Sequence, residues 1–191
     1  MKYEQLWAPW RLAYIQRDQA SREREAEERA QAPVRPGGDP QCFICRAVSG
    51  QNDREHWLVH RGEHVCVILN CFPYNNGHVL ICPYEHHGRL VDFAPAVHND
   101  ALATLTKLTS ILEQAIEAQG FNVGLNLGKV AGAGVPGHLH WHLVPRWMGD
   151  TNFMPVMTDV SVISQSLTAL YDLLDEAFHP LANDAAKGRP A

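Results

Sequence analysis

The chain has 191 residues, 46% of them hydrophobic, and a formal net charge of −5 from 16 Lys and Arg against 21 Asp and Glu. That length suits one domain with decorations, and the composition is ordinary for a globular protein. The acidic balance, with no long basic cluster, gives no nucleic-acid footprint; no apolar run reads as a signal peptide or a membrane span, so the expected location is cytoplasmic.

In chain order, Leu6-Trp7-Ala8-Pro9-Trp10-Arg11 comes first, too apolar for a free tail, and reads as a docking segment. Ser21 to Ala30 is almost all charge and alanine, and Pro33, Pro36, Gly37, Gly38 and Pro40 break whatever helix it forms. Residues 1–40 are therefore read as a docking segment and charged linker, with an exposed excursion over 18–40. The folded domain is expected over 41–180 and a loose tail over 181–191.

Trp57–His60 and Val65–Leu69 read as two strands around a turn at Arg61-Gly62-Glu63, and His78–Cys82 as a third stopped by Pro83. Asn75-Asn76-Gly77 is a tight turn before it. Leu102, Leu105, Leu108, Ile111, Leu112, Ala115 and Ile116 recur at helical steps, which predicts a long helix over Pro95–Gln119 ended by Gly120. Phe121–Leu127 is a strand, and a last one ends near Pro145. A C-terminal helix carries Leu167, Leu170, Leu173 and Leu174, with Ser161 or Ser164 as its cap. This order is α+β with a mainly antiparallel sheet, one long helix and a C-terminal helix.

The last strand holds the chemistry. Residues 138–143 read His138-Leu139-His140-Trp141-His142-Leu143, entered from a glycine-rich stretch that includes Gly132, Gly134 and Gly137. Strand alternation puts the three imidazoles on one face and the apolar residues on the other. Imidazole can attack, donate, or hold a metal near neutral pH. Three readings follow: exposed strand histidines, a three-histidine metal site, or phosphate chemistry in which a neutral imidazole attacks phosphorus. The glycine-rich loop offers unobstructed backbone N–H groups to an anion, which favours the third.

The five cysteines are an odd set in a chain without a secretion signal, which argues against a disulfide framework. Cys42 and Cys45 have CxxC spacing and point to metal or redox chemistry; Cys66, Cys71 and Cys82 sit among apolar neighbours and read as core. His56, His60, His64, His98 and His179 read as surface or structural, and Trp7, Trp10, Trp141 and Trp147 as core or interface.

His138 to Val144 resembles the signature of the histidine triad superfamily, and Gly77-His78-Val79-Leu80 and Asn126-Leu127-Gly128 resemble its upstream and middle motifs. The resemblance runs over about residues 42–147. Leu6–Arg11, Pro145–Trp147 and Gly149–Phe153 extend it to the bacterial and archaeal branch of diadenosine-polyphosphate hydrolases and phosphorylases. It implies a nucleotide substrate, a nucleotidyl group carried covalently on His140, and α-phosphate contact by His142. It also implies a further phosphate-side histidine at His78, a ribose contact at Asn70 and a phosphate contact at Asn126. Four residues before the triad, relatives carry a polar Gln or Ser, and Gly134 stands there instead, offering its backbone N–H. The resemblance further implies a structural zinc held by Cys42, Cys45, His86 and His138, with His86 chosen over His87 by spacing from His78. No catalytic cofactor is implied, and a homodimer that joins two sheets is. Rival readings are a nucleotide-binding or signalling module with little turnover, and a phosphohydrolase using the three histidines as metal ligands.

Overall fold

The structure, a computed structural model, describes residues 33–150, 163 and 165–179. The Leu6–Arg11 segment, the charged stretch before residue 33, Ser161, Ser164, the 151–153 end of the branch motif and the tail after 180 lie outside the described residues. No described helix is long and apolar enough to cross a membrane.

Five strands form one antiparallel sheet: β1 (Leu58–Arg61), β2 (Val65–Leu69), β3 (Val79–Pro83), β4 (Gly120–Leu125) and β5 (Trp141–Arg146). Their order is β1-β2-β3-β5-β4, so β5 enters between β3 and β4. Among the described residues three α-helices complete the fold: α1 (Phe43–Ser49), α2 (Pro95–Ile116) and α3 (Leu167–Phe178). This is the expected α+β architecture.

Strand alternation divides the interior in two. Val65, Val67, Leu69, Val79, Ile81, Leu139 and Leu143 meet Leu108 and Leu112 of α2 and Leu170 and Leu174 of α3. Leu58, Cys66, Ile68, Leu80 and Cys82 face the other way and pack on Ile44, Cys45, Ala47 and Val48 of α1. Cys66 and Cys82 are thus core residues, paired across β2 and β3, whereas Cys71, expected in the core with them, is exposed just after β2.

Several element ends differ from expectation. α2 starts at Pro95, with proline in its first turn, and ends at Ile116 because Glu117 turns left-handed at φ 53°. Gly120 opens β4, pairing with Arg146, where a helix stop was expected. α3 is capped by Ser166, whose Oγ accepts from the Ala169 N–H, so neither Ser161 nor Ser164 is the cap. α1 has no strong sequence signal; it stands on burial of one face, and the Arg61 guanidinium donates to the carbonyls of Ala47, Val48 and Gly50 at its end. Val34 packs against the same core and Arg35 lies 4.6 Å from the Tyr84 ring centre, so residues just before α1 already contact the domain.

The Asn75-Asn76-Gly77 turn is set by space as well as by dihedral angle. Gly77 has φ +76°, and a Cβ there would stand 2.7 Å from Ile116 Cδ1 and 2.9 Å from Pro145 Cγ. Gly77→Ala is expected to lower unfolding stability by about 2–4 kcal/mol, from left-handed strain plus overpacking. Gly134→Ala, with open space around its Cβ position, serves as the control. Urea unfolding of the two variants checks this; equal stabilities would refute it.

Candidate functional site

The triad does not lie wholly in a strand. His138 is a bend, Leu139 and His140 belong to no strand or helix, and β5 begins at Trp141. Leu139 and Leu143 still enter the helix-side core, with Trp141 packed against it. The even-numbered side chains leave on the opposite face.

His138 is 1% exposed. Its Nε2 lies 2.8 Å from the Pro83 carbonyl, an acceptor only, so that nitrogen carries the proton and Nδ1 carries the lone pair. The lone pair points at three partners: Cys42 Sγ and Cys45 Sγ at 3.4 Å each and His86 Nδ1 at 3.3 Å. Cys45 Sγ is also 3.2 Å from His86 Nδ1. Ligand atoms of Cys42, Cys45, His86 and His138 all lie within 4.8 Å of one another.

This set fits a zinc ion. Two sulfurs and two ring nitrogens are a zinc donor set, and the backbone-held proton of His138 leaves the correct nitrogen free. Burial pushes the Cys42 thiol up to about 11, so the thiolate a metal requires would be stabilised by the cation itself. α1 brings the two cysteines. The turn after β3 brings His86, and Leu139 N–H donates to the His87 carbonyl at 2.7 Å to hold that turn against the triad. Gly88 permits the approach, since a Cβ there would lie 2.3 Å from the Pro136 carbonyl oxygen. His87 points elsewhere, toward Glu85 and the Phe93 ring.

His140 and His142 stand apart from that cluster. His140 is 8% exposed, and its Nδ1 lies 2.8 Å from the His138 carbonyl. Nδ1 therefore carries the proton and Nε2 an open lone pair, with no hydrogen bond among the described residues. His142 lies 5.0 Å away, ring centre to ring centre.

His78, just before β3, joins the site through His142: Nε2 of His78 is 2.9 Å from Nδ1 of His142. His78 Nδ1 accepts from the Tyr74 N–H at 3.1 Å, which leaves the proton on Nε2 and makes His78 the donor to His142. His142 then holds its own proton on Nε2. That buried atom has no hydrogen-bond partner among the described residues. A buried N–H without an acceptor is costly unless a ligand supplies one.

Burial keeps His78, His138 and His142 neutral. Loss of solvent pushes His78 down to about 3 and His138 down to about 4, and lowers His142 as well; the neighbouring imidazoles add to each shift. Neutral rings have fixed donors and acceptors, so the tautomers of His78, His138 and His142 hold at neutral pH.

Of the other expected site residues, Asn70 contacts this core directly. Asn70 touches His78, with Nδ2 3.2 Å from its Nδ1. Asn126 follows β4 and is half-buried. Gly134 lies in the exposed loop before the triad. Tyr74 was not anticipated: its exposed ring lies 4.7 Å from the His78 ring and 5.8 Å from that of His142, centre to centre. Pro83 was read only as a strand stop, yet its carbonyl sets the His138 tautomer. Trp141 and Trp147 are half-buried against the core, as expected, and Trp147 Nε1 donates to the Ile116 carbonyl. Of the background histidines, His60 stacks on Phe178 and His98 bonds the Leu90 carbonyl.

Comparison with known proteins agrees with this arrangement. The HIT domain model matches residues 51–148. The chain is 34% identical to the AP-4-A phosphorylase of Mycobacterium tuberculosis over 169 residues, covering 86% of this chain and 78% of the relative. It is 32% identical over 93 residues to the asymmetrical bis(5'-nucleosyl)-tetraphosphatase of Schizosaccharomyces pombe, covering 49% of this chain and 50% of the relative. Among solved structures, a Zn-bound histidine triad family protein from Mycobacterium smegmatis superposes with a TM-score of 0.53 at 26% identity, over 65% of this chain and 84% of that one. With its triad, its sheet and these matches in agreement, the chain belongs to the HIT family.

Proposed function

We propose that the protein cleaves dinucleoside polyphosphates of the diadenosine tetraphosphate kind by nucleotidyl transfer through His140. The observation that carries this reading is the pair of open nitrogens. His140 Nε2 offers a lone pair, and His142 Nε2 offers a buried N–H with no acceptor. One suits attack on phosphorus; the other suits a phosphate oxygen.

In the first step the His140 Nε2 lone pair bonds to the α-phosphorus, and the bond from phosphorus to the bridging oxygen breaks. The polyphosphate nucleotide leaves with that electron pair. His142 Nε2–H donates to a phosphate oxygen as charge develops, while His78 holds His142 in the donating tautomer. Backbone N–H groups around Gly134, together with Asn126, face the remaining phosphate oxygens. In the second step an oxygen nucleophile displaces His140 from phosphorus. Phosphate is the preferred acceptor, because the relative matched over 86% of the chain is a phosphorylase and the tetraphosphatase matches only 49%.

Cys42, Cys45, His86 and His138 hold zinc in a structural role. When bound, the ion ties α1 and the turn after β3 to His138, and so sets the carbonyl that orients His140. Among the described residues the outer edge of β4 is unpaired in the sheet and exposes Val123, which supports a homodimer joined along that edge. We place the protein in the cytoplasm.

With diadenosine tetraphosphate, ADP plus ATP should form only when phosphate is present. His140→Ala should lower turnover by about a thousandfold or more. Chromatography of the products checks both, and near-normal turnover in His140→Ala would refute the covalent route.

Metal analysis of the purified protein should give about one zinc per chain. Cys42→Ser with Cys45→Ser should lose the zinc and lower Tm. Unchanged zinc content in that double variant would overturn the assignment.

A further inference from the structure

We propose that Asp150 is a positioning residue: its carboxylate holds Asn75, and so fixes the turn whose Tyr74 N–H keeps the proton of His78 on the nitrogen facing His142. This rests on the proposed reading of the site, and it gives a task to the 145–150 stretch that the reading leaves without one.

The Asp150 side chain is buried, 9% exposed. Its Oδ2 accepts from Arg146 Nε at 2.6 Å, from Asn75 Nδ2 at 2.8 Å and from the Trp147 N–H at 3.1 Å, and its Oδ1 from Arg146 Nη2 at 2.8 Å. A buried charge is costly unless paired, and the two-pronged contact with Arg146 supplies the pairing. Asn75 brings no charge. It comes from the turn before β3, 75 residues away in the chain, so its contact joins two segments.

Asn75 is held on three sides. Its Nδ2 donates to the Pro145 carbonyl at 3.2 Å as well as to Asp150, two oxygens that only accept, which fixes the direction of the amide. Its Oδ1 accepts from the Asn76 N–H at 2.9 Å, and its carbonyl from the His78 N–H at 3.3 Å. The turn also lies close on the end of β5, since a Cβ at Gly77 would stand 2.9 Å from Pro145 Cγ. The turn is therefore placed relative to β5, the strand that carries His142.

Tyr74 precedes Asn75, and its N–H reaches His78 Nδ1 at 3.1 Å. A donor there excludes a proton from Nδ1. The proton stays on Nε2, which donates to His142 Nδ1 at 2.9 Å, and His142 holds its own proton on the orphaned Nε2. If the turn shifts, Tyr74 N–H withdraws and the two imidazoles can reverse together. His142 would then protonate Nδ1 and present a lone pair to the phosphate. Lone pair facing anion is repulsive, so the step would lose its donor while His138 and His140 kept their places.

Three substitutions separate positioning from stabilisation alone. Asp150→Ala removes the acceptor for Asn75, and Asn75→Ala removes the donor. Asp150→Asn removes the charge but keeps an oxygen that can take the Oδ2 place. With diadenosine tetraphosphate and phosphate, Asp150→Ala and Asn75→Ala should each lower kcat about tenfold, with KM little changed. The double alanine variant should be no worse than either, because one contact is removed twice. Asp150→Asn should keep most of kcat while its weakened pair with Arg146 lowers Tm. A purely structural Asp150 predicts a lower Tm in every variant and wild-type kcat in the folded protein. Wild-type kcat in Asp150→Ala, a rise in KM with kcat intact, or additive losses in the double variant would overturn the proposal.

Long-range proton–nitrogen NMR on histidine-labelled protein without substrate reads the proton positions directly. Wild type and Asp150→Asn should show His78 protonated on Nε2, and Asp150→Ala and Asn75→Ala a mixture of the two forms. His78 protonated on Nδ1 in wild type, or unchanged in both alanine variants, would refute the role. If Asp150→Ala does not fold, Asn75→Ala alone decides, by the same kcat and the same spectrum. Proton positions that behave as expected in protein with no turnover of diadenosine tetraphosphate would refute the proposed function and leave the positioning role standing.

Discussion

The hydrogen bond from His138 Nε2–H to the Pro83 carbonyl is the contact on which the site depends. It joins the end of β3 to the chain entering β5, and it decides which nitrogen of His138 is free. One nitrogen bonds the strand, the other faces Cys42, Cys45 and His86, and the carbonyl of the same residue accepts from His140 Nδ1. One buried residue thus connects the sheet, the donor cluster and the open lone pair of His140. Displacing His138 would affect all three together.

The sheet makes this possible by giving each face a separate task. The helix-side face is closed by α2 and α3 and supplies burial. The opposite face is closed, among the described residues, by α1, and the cysteines at that short helix have a second role as donors. A helix of 7 residues is too short to persist alone, so its place depends on packing and on the cluster it carries. Chemistry and stability meet at α1 without competing for the large core.

The alternation of the triad, the core role of Cys66 and Cys82, and the choice of His86 over His87 were legible because each rests on local spacing. Spacing could not show that His138 and His140 stand outside the strand. Strand pairing of Trp141 with Leu125 and Ile81 begins only after the chain has been held by Pro83 and His87, contacts between distant segments. Nor could it give α1, whose signal is a few buried residues beside two cysteines. Glu117 ended α2 early because the last turn closes onto Leu112, while Gly120 was needed by β4. Asn70 was visible as a site residue, but the direction of its amide depends on the Phe72 N–H in folded loop geometry.

Among the described residues the chain of donors through the site contains no carboxylate. Tyr74 N–H donates to His78, His78 donates to His142, and the orienting acceptors for His138 and His140 are backbone carbonyls. A carboxylate would hold an imidazole as a cation and would bring a buried negative charge close to where a phosphate must bind. Neutral partners avoid both effects. They give up the attraction a cationic ring would have for an anion, and they gain fixed proton positions that need no titration near neutral pH. Charge in such a site arrives with the phosphate, and the protein meets it with oriented dipoles already in place, the condition under which electrostatic stabilisation needs little reorganisation.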